Sequence, residues 1–297
     1  MDLSDAISIR TLDGGLSTEL QARGHDLSDH LWSARLLIDD PAVIVAAHVA
    51  FYRAGASVAT TATYQASFDG FARRGVDYGQ AELMFRRGVE LAQQARAELA
   101  EDGHQRWVAA SIGPYGAALA DGSEYRGRYG LSVGELTDWH RPRLSVLADA
   151  GADVLACETV PDVDEAEALV AVLGEIGTAA WLSYTVEGGR TRAGQPLDEA
   201  FGLVAASREV IAVGVNCCSP VEVGPAIEVA RAVTDKPVIV YPNSGEQWDG
   251  KWSGSSAFTA GMAREWVAAG ATAVGGCCRV TPQQIAELAA VLDETKS

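Results

Sequence analysis

The segment Val154–Val186, VLACETVPDVDEAEALVAVLGEIGTAAWLSYTV, contains one full repeat of the pattern that decides the fold. Residues 154–159 form an apolar run typical of a buried strand, and residues 162–176 place apolar side chains at helical spacing. A second apolar run starts at residue 180. Strands with little polar alternation that are each followed by a helix indicate a parallel sheet with helices on its outer face.

The same pattern recurs along the whole chain. Strand-like runs cover Ile9–Asp13, Ser57–Tyr64, Trp107–Gly113, Val154–Thr159, Ala180–Val186, Ile211–Cys217, Pro237–Pro242 and Ala273–Cys277. Helical spacing covers Leu36–Ala54, Gln80–Ala100, Val133–Ala150, Asp162–Ile176, Leu197–Ser207, Val221–Val233, Thr259–Ala269 and Pro282–Leu292. We therefore expect an α/β fold, a (β/α)8 TIM barrel that forms a single domain over residues 1–297. The alternative, an open doubly wound sheet, is disfavoured because no glycine-rich turn follows the first strand.

The composition limits the classes of partner. The chain carries 40 acidic and 23 basic residues, a net charge of −17, which disfavours binding to nucleic acid or to an acidic membrane surface. Its N-terminus lacks the basic flank and apolar run of a secretory signal, so we expect a cytoplasmic protein that acts on small molecules. A monomer and a small homo-oligomer both remain open.

Two pairs of adjacent cysteines are the most informative feature for function. The five cysteines are Cys157, Cys217, Cys218, Cys277 and Cys278. In a reducing compartment such residues are metal ligands, nucleophiles or buried thiols. The pairs end strands six and eight, roughly 10 Å apart at one mouth of the barrel. Zinc–sulfur bonds of ~2.3 Å make that distance one that a shared zinc ion can bridge.

Adjacent residues of a strand point to opposite faces, so Cys277 and Cys278 can both ligate only where the chain bends. Gly275-Gly276 provides backbone freedom for such a bend. Three thiolates would leave one tetrahedral position open, as in a catalytic zinc site. A thiol that enters this position is deprotonated yet nucleophilic, so alkyl transfer to it needs no separate general base.

These residues lie in segments that resemble the homocysteine S-methyltransferase family, in particular its members that use S-methylmethionine or S-adenosylmethionine. The resemblance covers nearly the whole chain, and the paired GVNC and GGCC segments are its most specific part. The matching segments are LDGGLSTEL, LWSARLL, TATYQASF, SIGPYGAALADGSEYRG, HRPRL, ACETVPDVDEAEAL, GVNCCSP, VYPNSGEQWD and GGCCRVTP.

The resemblance implies a zinc (Zn2+) enzyme that transfers a methyl group from a sulfonium donor to homocysteine, giving methionine. The implied zinc ligands, which are also the catalytic residues, are Cys217, Cys277 and Cys278. The implied substrate contacts are Glu158, which holds the amino group of homocysteine, the Asp13-Gly14 turn, and Asn243 with Ser244 beside the pocket. The segment Thr191–Leu197 departs from the family, because Ala193-Gly194 stands where Asp-Gly is expected.

Several residues have a structural interpretation as well as a functional one. Cys157 and Cys218 are expected to be core thiols. The polar stretch Asp121–Tyr129 is either a lid over the site or an ordinary surface loop. Aromatic residues near strand ends either pack the mouth or face a cationic donor, and these are Tyr64, Tyr115, Tyr184 and Trp248.

Two other functions stay open at this point. The first is a related methyltransferase that uses betaine as donor or a selenol as acceptor. The second is a non-catalytic zinc-binding barrel in which Cys218 completes a set of four protein ligands.

Overall fold

The computed structural model describes residues 10–248 and 252–294. Within these ranges eight parallel strands alternate with eight major helices. The strands are β1 (Arg10–Thr11), β2 (Val58–Thr60), β3 (Trp107–Ile112), β4 (Val154–Val160), β5 (Ala180–Tyr184), β6 (Val210–Asn216), β7 (Val238–Tyr241) and β8 (Ala271–Val274). The helices are α1 (Pro41–Arg53), α2 (Tyr78–Ala97), α3 (Val133–Ala148), α4 (Val163–Ile176), α5 (Leu197–Ala205), α6 (Val223–Val233), α7 (Ala260–Ala269) and α8 (Pro282–Glu294).

The strands close into a barrel. Each strand from β2 to β8 pairs in parallel with the next in chain order, and β8 pairs with β1. A bridge between Leu12 and Val58 joins β1 to β2, with the N–H of Asp13 donating to the carbonyl of Val58 at 3.0 Å. The predicted (β/α)8 barrel is confirmed, and an open doubly wound sheet is excluded.

Strand alternation separates two apolar cores. Val154 and Ala156 of β4 point into the barrel, where they pack with Trp181 and other inward side chains. Leu155 and Cys157 point outward into the layer between the sheet and the helices. Cys157 is therefore a core thiol, as predicted. Glu158, the next residue in the inward series, lies at the mouth of the barrel.

Three predicted element boundaries are wrong. The helix predicted over Leu36–Ala54 is two helices, Leu36–Asp39 and α1, because Pro41 cannot continue the preceding helix and Asp40 before it leaves the helical region, with φ −156° and ψ 74°. The strand predicted over Ser57–Tyr64 ends at Thr60, where the chain turns. The strand predicted over Ala273–Cys277 ends at Val274, so both cysteines of the pair lie in the following loop. Ile9, the predicted start of the first strand, lies outside the described residues.

The loops that follow the strands contain elements that the periodicity does not predict. Short helices span Leu16–Ala22, Phe68–Arg73 and Tyr115–Leu119, and two antiparallel hairpins pair Val186–Glu187 with Arg190–Thr191 and Gln247–Trp248 with Trp252–Ser253. These elements lie at the carboxyl ends of the strands, the end at which barrel enzymes carry their active sites. None of the described helices has the length and apolar composition that crossing a bilayer requires.

Candidate metal centre

Three of the five cysteines meet at the mouth of the barrel. The Sγ atoms of Cys217, Cys277 and Cys278 all lie within 4.8 Å of one another, and those of Cys217 and Cys278 are 3.7 Å apart. Sulfur atoms that share a tetrahedral zinc at ~2.3 Å would be about 3.8 Å apart. The three thiols therefore fit a single zinc ion in number, type and spacing. Cys218 lies in the outer core and is not part of this group.

Cys217 reaches the site through an unusual backbone conformation. Strand alternation would place it on the helix-facing side of β6, together with Val213 and Val215. Instead its φ is +51°, in the left-handed region that residues with a Cβ rarely occupy. The alternation ends there, and the Cys217 thiol reaches the other two. The positive φ is thus part of the construction of the site.

The bend that brings Cys277 and Cys278 together depends on two glycines, though not through unusual φ values. Neither Gly275 nor Gly276 has a φ in the left-handed region. A Cβ on Gly275 would lie 2.6 Å from the Cβ of Leu12, and one on Gly276 would lie 2.3 Å from the side chain of Val280. Gly275 and Gly276 were expected to provide backbone flexibility. They instead allow close packing, because the absence of a Cβ lets the loop fold tightly over β1.

Asn243 and Ser244 hold the backbone of the cysteine loop. The side-chain oxygen of Asn243 accepts a hydrogen bond from the N–H of Cys278 at 3.1 Å, and the N–H of Ser244 donates to the carbonyl of Cys278 at 3.0 Å. The N–H of Asn243 donates to the carbonyl of Cys218 at 2.9 Å. This segment therefore ties the loop after β6 to the loop after β8. Its contact with substrate remains a prediction.

The clustered thiols share their protons unequally. Hydrogen bonding with Cys217 holds the pKa of Cys277 well above the usual value for a thiol, whereas hydrogen bonds from Cys217 and Cys277 hold the pKa of Cys278 well below it. Of the three thiols, the one whose ionisation these hydrogen bonds favour is therefore that of Cys278. A bound dication favours ionisation of all three thiols, which is the usual chemistry of a cysteine metal site.

Two buried carboxyl groups lie at the same mouth. Burial raises the pKa of Glu158 to about 7, although Ser111 and Tyr241 hydrogen-bond to its carboxylate. Burial raises the pKa of Asp13 to about 8, opposed by Thr60, whose N–H donates to it at 2.8 Å. Neither acid forms an ion pair with a residue in the described ranges. The mouth thus offers two carboxylates for an incoming cation.

The loop before α3 covers the cysteines. Ser123–Tyr125 forms a short 3-10 turn inside the predicted lid, and the Tyr125 hydroxyl lies 3.1 Å from the Sγ of Cys217. The preceding Glu124 is largely buried, and burial raises its pKa to about 7. One of its carboxylate oxygens has no hydrogen-bond partner within residues 10–248 and 252–294. Asp121–Tyr129 is therefore a covering segment of the site and not an ordinary surface loop.

Comparison with known proteins identifies the family. The profile of the homocysteine S-methyltransferase family matches residues 10–292. The chain belongs to this family. It is 46% identical to the homocysteine S-methyltransferase of Escherichia coli, over 97% of this chain and 96% of that protein, and 43% identical to homocysteine S-methyltransferase YbgG of Bacillus subtilis, over 96% and 95%. The metallated form of the E. coli homocysteine methyltransferase MmuM superimposes with a TM-score of 0.88 at 45% identity, covering 97% of this chain and 98% of that one.

Membership of the homocysteine S-methyltransferase family confirms the predicted resemblance and enzyme class. It does not assign the four aromatic residues predicted near the mouth. Tyr184 is fully buried and donates to the carbonyl of Ala200 at 2.9 Å, so it is a core residue. Tyr115 lines a cleft of about 470 Å³ whose lining contains none of the cysteines. Tyr64 hydrogen-bonds to Thr159 at the mouth, and the side chain of Trp248 lies outside the described part of the structure.

Sequence reasoning missed several residues that build this homocysteine S-methyltransferase site. They are Thr60, Ser111, Tyr125, Asn216 and Tyr241, which contact the predicted acids, a cysteine or Thr159. Ser111, Asn216 and Tyr241 lie near the ends of predicted strands, Thr60 lies inside one, and Tyr125 lies in the quoted SEYRG segment. Each of these residues contacts a partner on another strand or loop, and the local sequence pattern does not indicate that partner.

Proposed function

We propose that the protein transfers a methyl group from a sulfonium donor, S-methylmethionine or S-adenosylmethionine, to the sulfur of homocysteine, giving methionine, with zinc as its cofactor. One observation carries the proposal: three thiols with the spacing of a zinc site lie at the same barrel mouth as a buried carboxyl group that has no ion-pair partner among the described residues. Membership of the homocysteine S-methyltransferase family and similarity to the metallated E. coli protein support it.

Cys217, Cys277 and Cys278 would hold the zinc ion. When bound, the ion would lower the pKa of an incoming thiol and so supply a thiolate at neutral pH. The Asn243 side chain accepts from the N–H of Cys278 and the Ser244 N–H donates to its carbonyl, so the backbone of Cys278 is fixed on both sides. The proposed chemistry requires reduced thiols, which agrees with the predicted cytoplasmic location.

Glu158 would bind the ammonium group of homocysteine. Its carboxylate is buried, lacks a cationic partner in the described structure, and is oriented by Ser111 and Tyr241. An ammonium group that enters the mouth would restore the ionised carboxylate and form charge-assisted hydrogen bonds with it. Asp13, held by Thr60 on the adjacent strand, adds a second negative charge when it ionises.

A positively charged donor fits the covering segment. In the described part of the chain, Glu124 has one buried carboxylate oxygen without a hydrogen-bond partner, and its ionisation is opposed by burial and by the charge of the nearby Cys217. A cation bound between them would favour both charges. This observation supports a cationic methyl donor over a neutral one. The choice of a sulfonium over betaine rests on the subfamily whose motifs the chain shares.

The transfer itself is a displacement at carbon. A new bond forms between the homocysteine sulfur and the methyl carbon while the bond from that carbon to the donor sulfur breaks. The electron pair of the broken bond stays on the donor sulfur, which leaves as a neutral thioether. The nucleophile is already a thiolate, so no proton moves in this step. The protein has to align the two sulfurs and exclude competing nucleophiles.

The test is an assay of methionine formation by the purified, reduced, zinc-loaded protein. We expect methyl transfer to homocysteine from S-methylmethionine or S-adenosylmethionine, and none above background from betaine. Transfer from betaine alone, or to a selenol in preference to homocysteine, would replace the proposed substrates by those of a related methyltransferase. A zinc-loaded protein that is inactive with every donor would contradict the proposed activity and favour a non-catalytic zinc barrel.

A further inference from the structure

The hydroxyl of Tyr125 lies 3.1 Å from the Sγ of Cys217, within hydrogen-bond distance for sulfur. A phenol keeps its proton at neutral pH, whereas a cysteine that binds a metal is a thiolate and has no proton to give. With a metal bound, the only direction for this hydrogen bond is from the Tyr125 hydroxyl to the Cys217 sulfur. Tyr125 therefore contacts one of the proposed metal ligands.

Tyr125 is held in place by residues from a different loop. The Nε of Arg192 donates to the carbonyl of Tyr125 at 2.8 Å, and its guanidinium lies 5.9 Å from the centre of the Tyr125 ring. Asp162 joins the same two loops, because it accepts from the N–H of Arg128 at 2.8 Å and from the side-chain amide of Gln195 at 2.6 Å. We call residues 123–128 and 191–195, joined in this way, the clasp.

We propose that Tyr125 is a positioning residue for the metal ligand Cys217, and that Arg192 acts on the site through Tyr125. The inference rests on the proposed zinc function. A hydrogen bond to a thiolate ligand stabilises its ionised form and fixes its orientation, and loss of such a contact outside the ligand set typically weakens metal binding 10–100-fold. The clasp thereby gives a role to the SEYRG segment and to Thr191–Leu197, which lie outside the predicted ligand set.

The chain offers a matched control. Tyr129 lies in the same segment, but its hydroxyl donates to the carboxylate of Glu165 at 3.1 Å and not to a thiol. Tyr129→Phe removes a phenol hydroxyl from the same loop without removing a contact to a metal ligand. A general loosening of the loop would affect both variants, whereas a role toward Cys217 would affect only Tyr125→Phe.

The experiment measures the zinc dissociation constant of the purified protein by competition with a chromogenic chelator. It also records the thiolate-to-metal charge-transfer bands of the cobalt-substituted protein. We expect Tyr125→Phe to bind zinc roughly 10–100-fold more weakly and to shift these bands, because the electron density on the Cys217 sulfur changes. Tyr129→Phe should match the wild type in both measurements.

Arg192→Gln provides an independent variant. We expect it to weaken zinc binding less than Tyr125→Phe does, and to have no further effect when Tyr125 is already Phe. Additive losses in the double variant would overturn the action of Arg192 through Tyr125.

If Tyr125→Phe bound zinc as tightly as the wild type and gave the same cobalt spectrum, the inference would be overturned. The proposed function would still stand, because the wild type binds zinc in that case. Failure of the wild type to bind zinc would instead overturn the proposed function, so the two failures are distinguishable.

Discussion

Asn216 and Thr159 exchange two hydrogen bonds across the barrel mouth. The side-chain oxygen of Asn216 accepts from the N–H of Thr159 at 2.7 Å, and its amide donates to the Thr159 hydroxyl at 2.8 Å. Thr159 has a φ of +60°, and both residues are buried. Glu158 precedes one partner and Cys217 follows the other. The pair therefore fixes the distance between the proposed ammonium-binding acid and the first thiol.

Asn216→Ala should lower the free energy of unfolding by about 2–4 kcal/mol, because it leaves the buried N–H of Thr159 without its partner and removes one partner of the Thr159 hydroxyl. Urea denaturation measures this change. Gln283→Ala, an exposed substitution on α8, serves as control and should change stability by less than about 0.5 kcal/mol. An Asn216→Ala protein as stable as the control would show that these bonds do not hold the mouth together.

Glu158→Gln should change how stability depends on pH. Burial raises the pKa of Glu158 from its ordinary value of 4.5 to about 7, so the folded protein binds this proton more tightly than the unfolded chain. Its favourable contribution is complete below pH 4.5 and is lost as the pH rises through 7. In the absence of ligands, Glu158→Gln should equal the wild type near pH 4.5 and exceed its stability by up to about 3 kcal/mol at pH 8. A stability difference that does not vary with pH would contradict this assignment.

The same substitution should impair homocysteine binding. Loss of a charge-assisted contact to the ammonium group should raise the KM for homocysteine roughly 10–100-fold and leave the KM for the donor nearly unchanged. In the wild type the homocysteine KM should also rise below pH 7, where Glu158 becomes protonated, and this part of the pH profile should disappear in Glu158→Gln. Equal increases for both substrates would remove Glu158 from the homocysteine site.

Gly276→Ala should disrupt the cysteine loop, because the added Cβ would lie 2.3 Å from Val280 and the loop cannot close over β1. We expect a loss of about 1–3 kcal/mol in stability together with weaker zinc binding. Gly174→Ala is the matched control, since this exposed helical glycine has open space around it and should gain about 0.5–1 kcal/mol. If Gly276→Ala retained full stability and zinc affinity, the close-packing role of the glycine would be wrong.

The barrel and part of the site could be predicted because their signals are local. The apolar run around Cys157 and Glu158 showed a buried strand, and its period of two showed that these neighbours point to opposite sides. The family segments predicted Cys217, Cys277 and Cys278 as the metal ligands, and their sulfur atoms lie within 4.8 Å of one another. Each of these inferences depends on residues that are adjacent or regularly spaced in sequence.

What escaped prediction depends on contacts between distant segments. The positive φ of Cys217 ends the alternation of side chains along the strand. A cysteine does not indicate a positive φ in the way that a glycine does. Tyr125 reaches Cys217 across 92 residues of sequence, and Tyr241 reaches Trp181 across 60. Such pairs arise only when the barrel closes. The end of β8 was misplaced for the same reason, since packing against Leu12 and Val280 decides where the chain turns.

The central claim is that Cys217, Cys277 and Cys278 form the zinc site, and metal analysis of single Cys→Ser variants tests it most directly. Cys218→Ser is the matched control, because Cys218 adjoins Cys217 yet lies outside the group. In protein purified reduced and without chelator, we predict close to one zinc per chain for the wild type and Cys218→Ser, and far less for Cys217→Ser, Cys277→Ser and Cys278→Ser. A wild type without zinc, or zinc lost from Cys218→Ser and retained in the other three variants, would contradict the account.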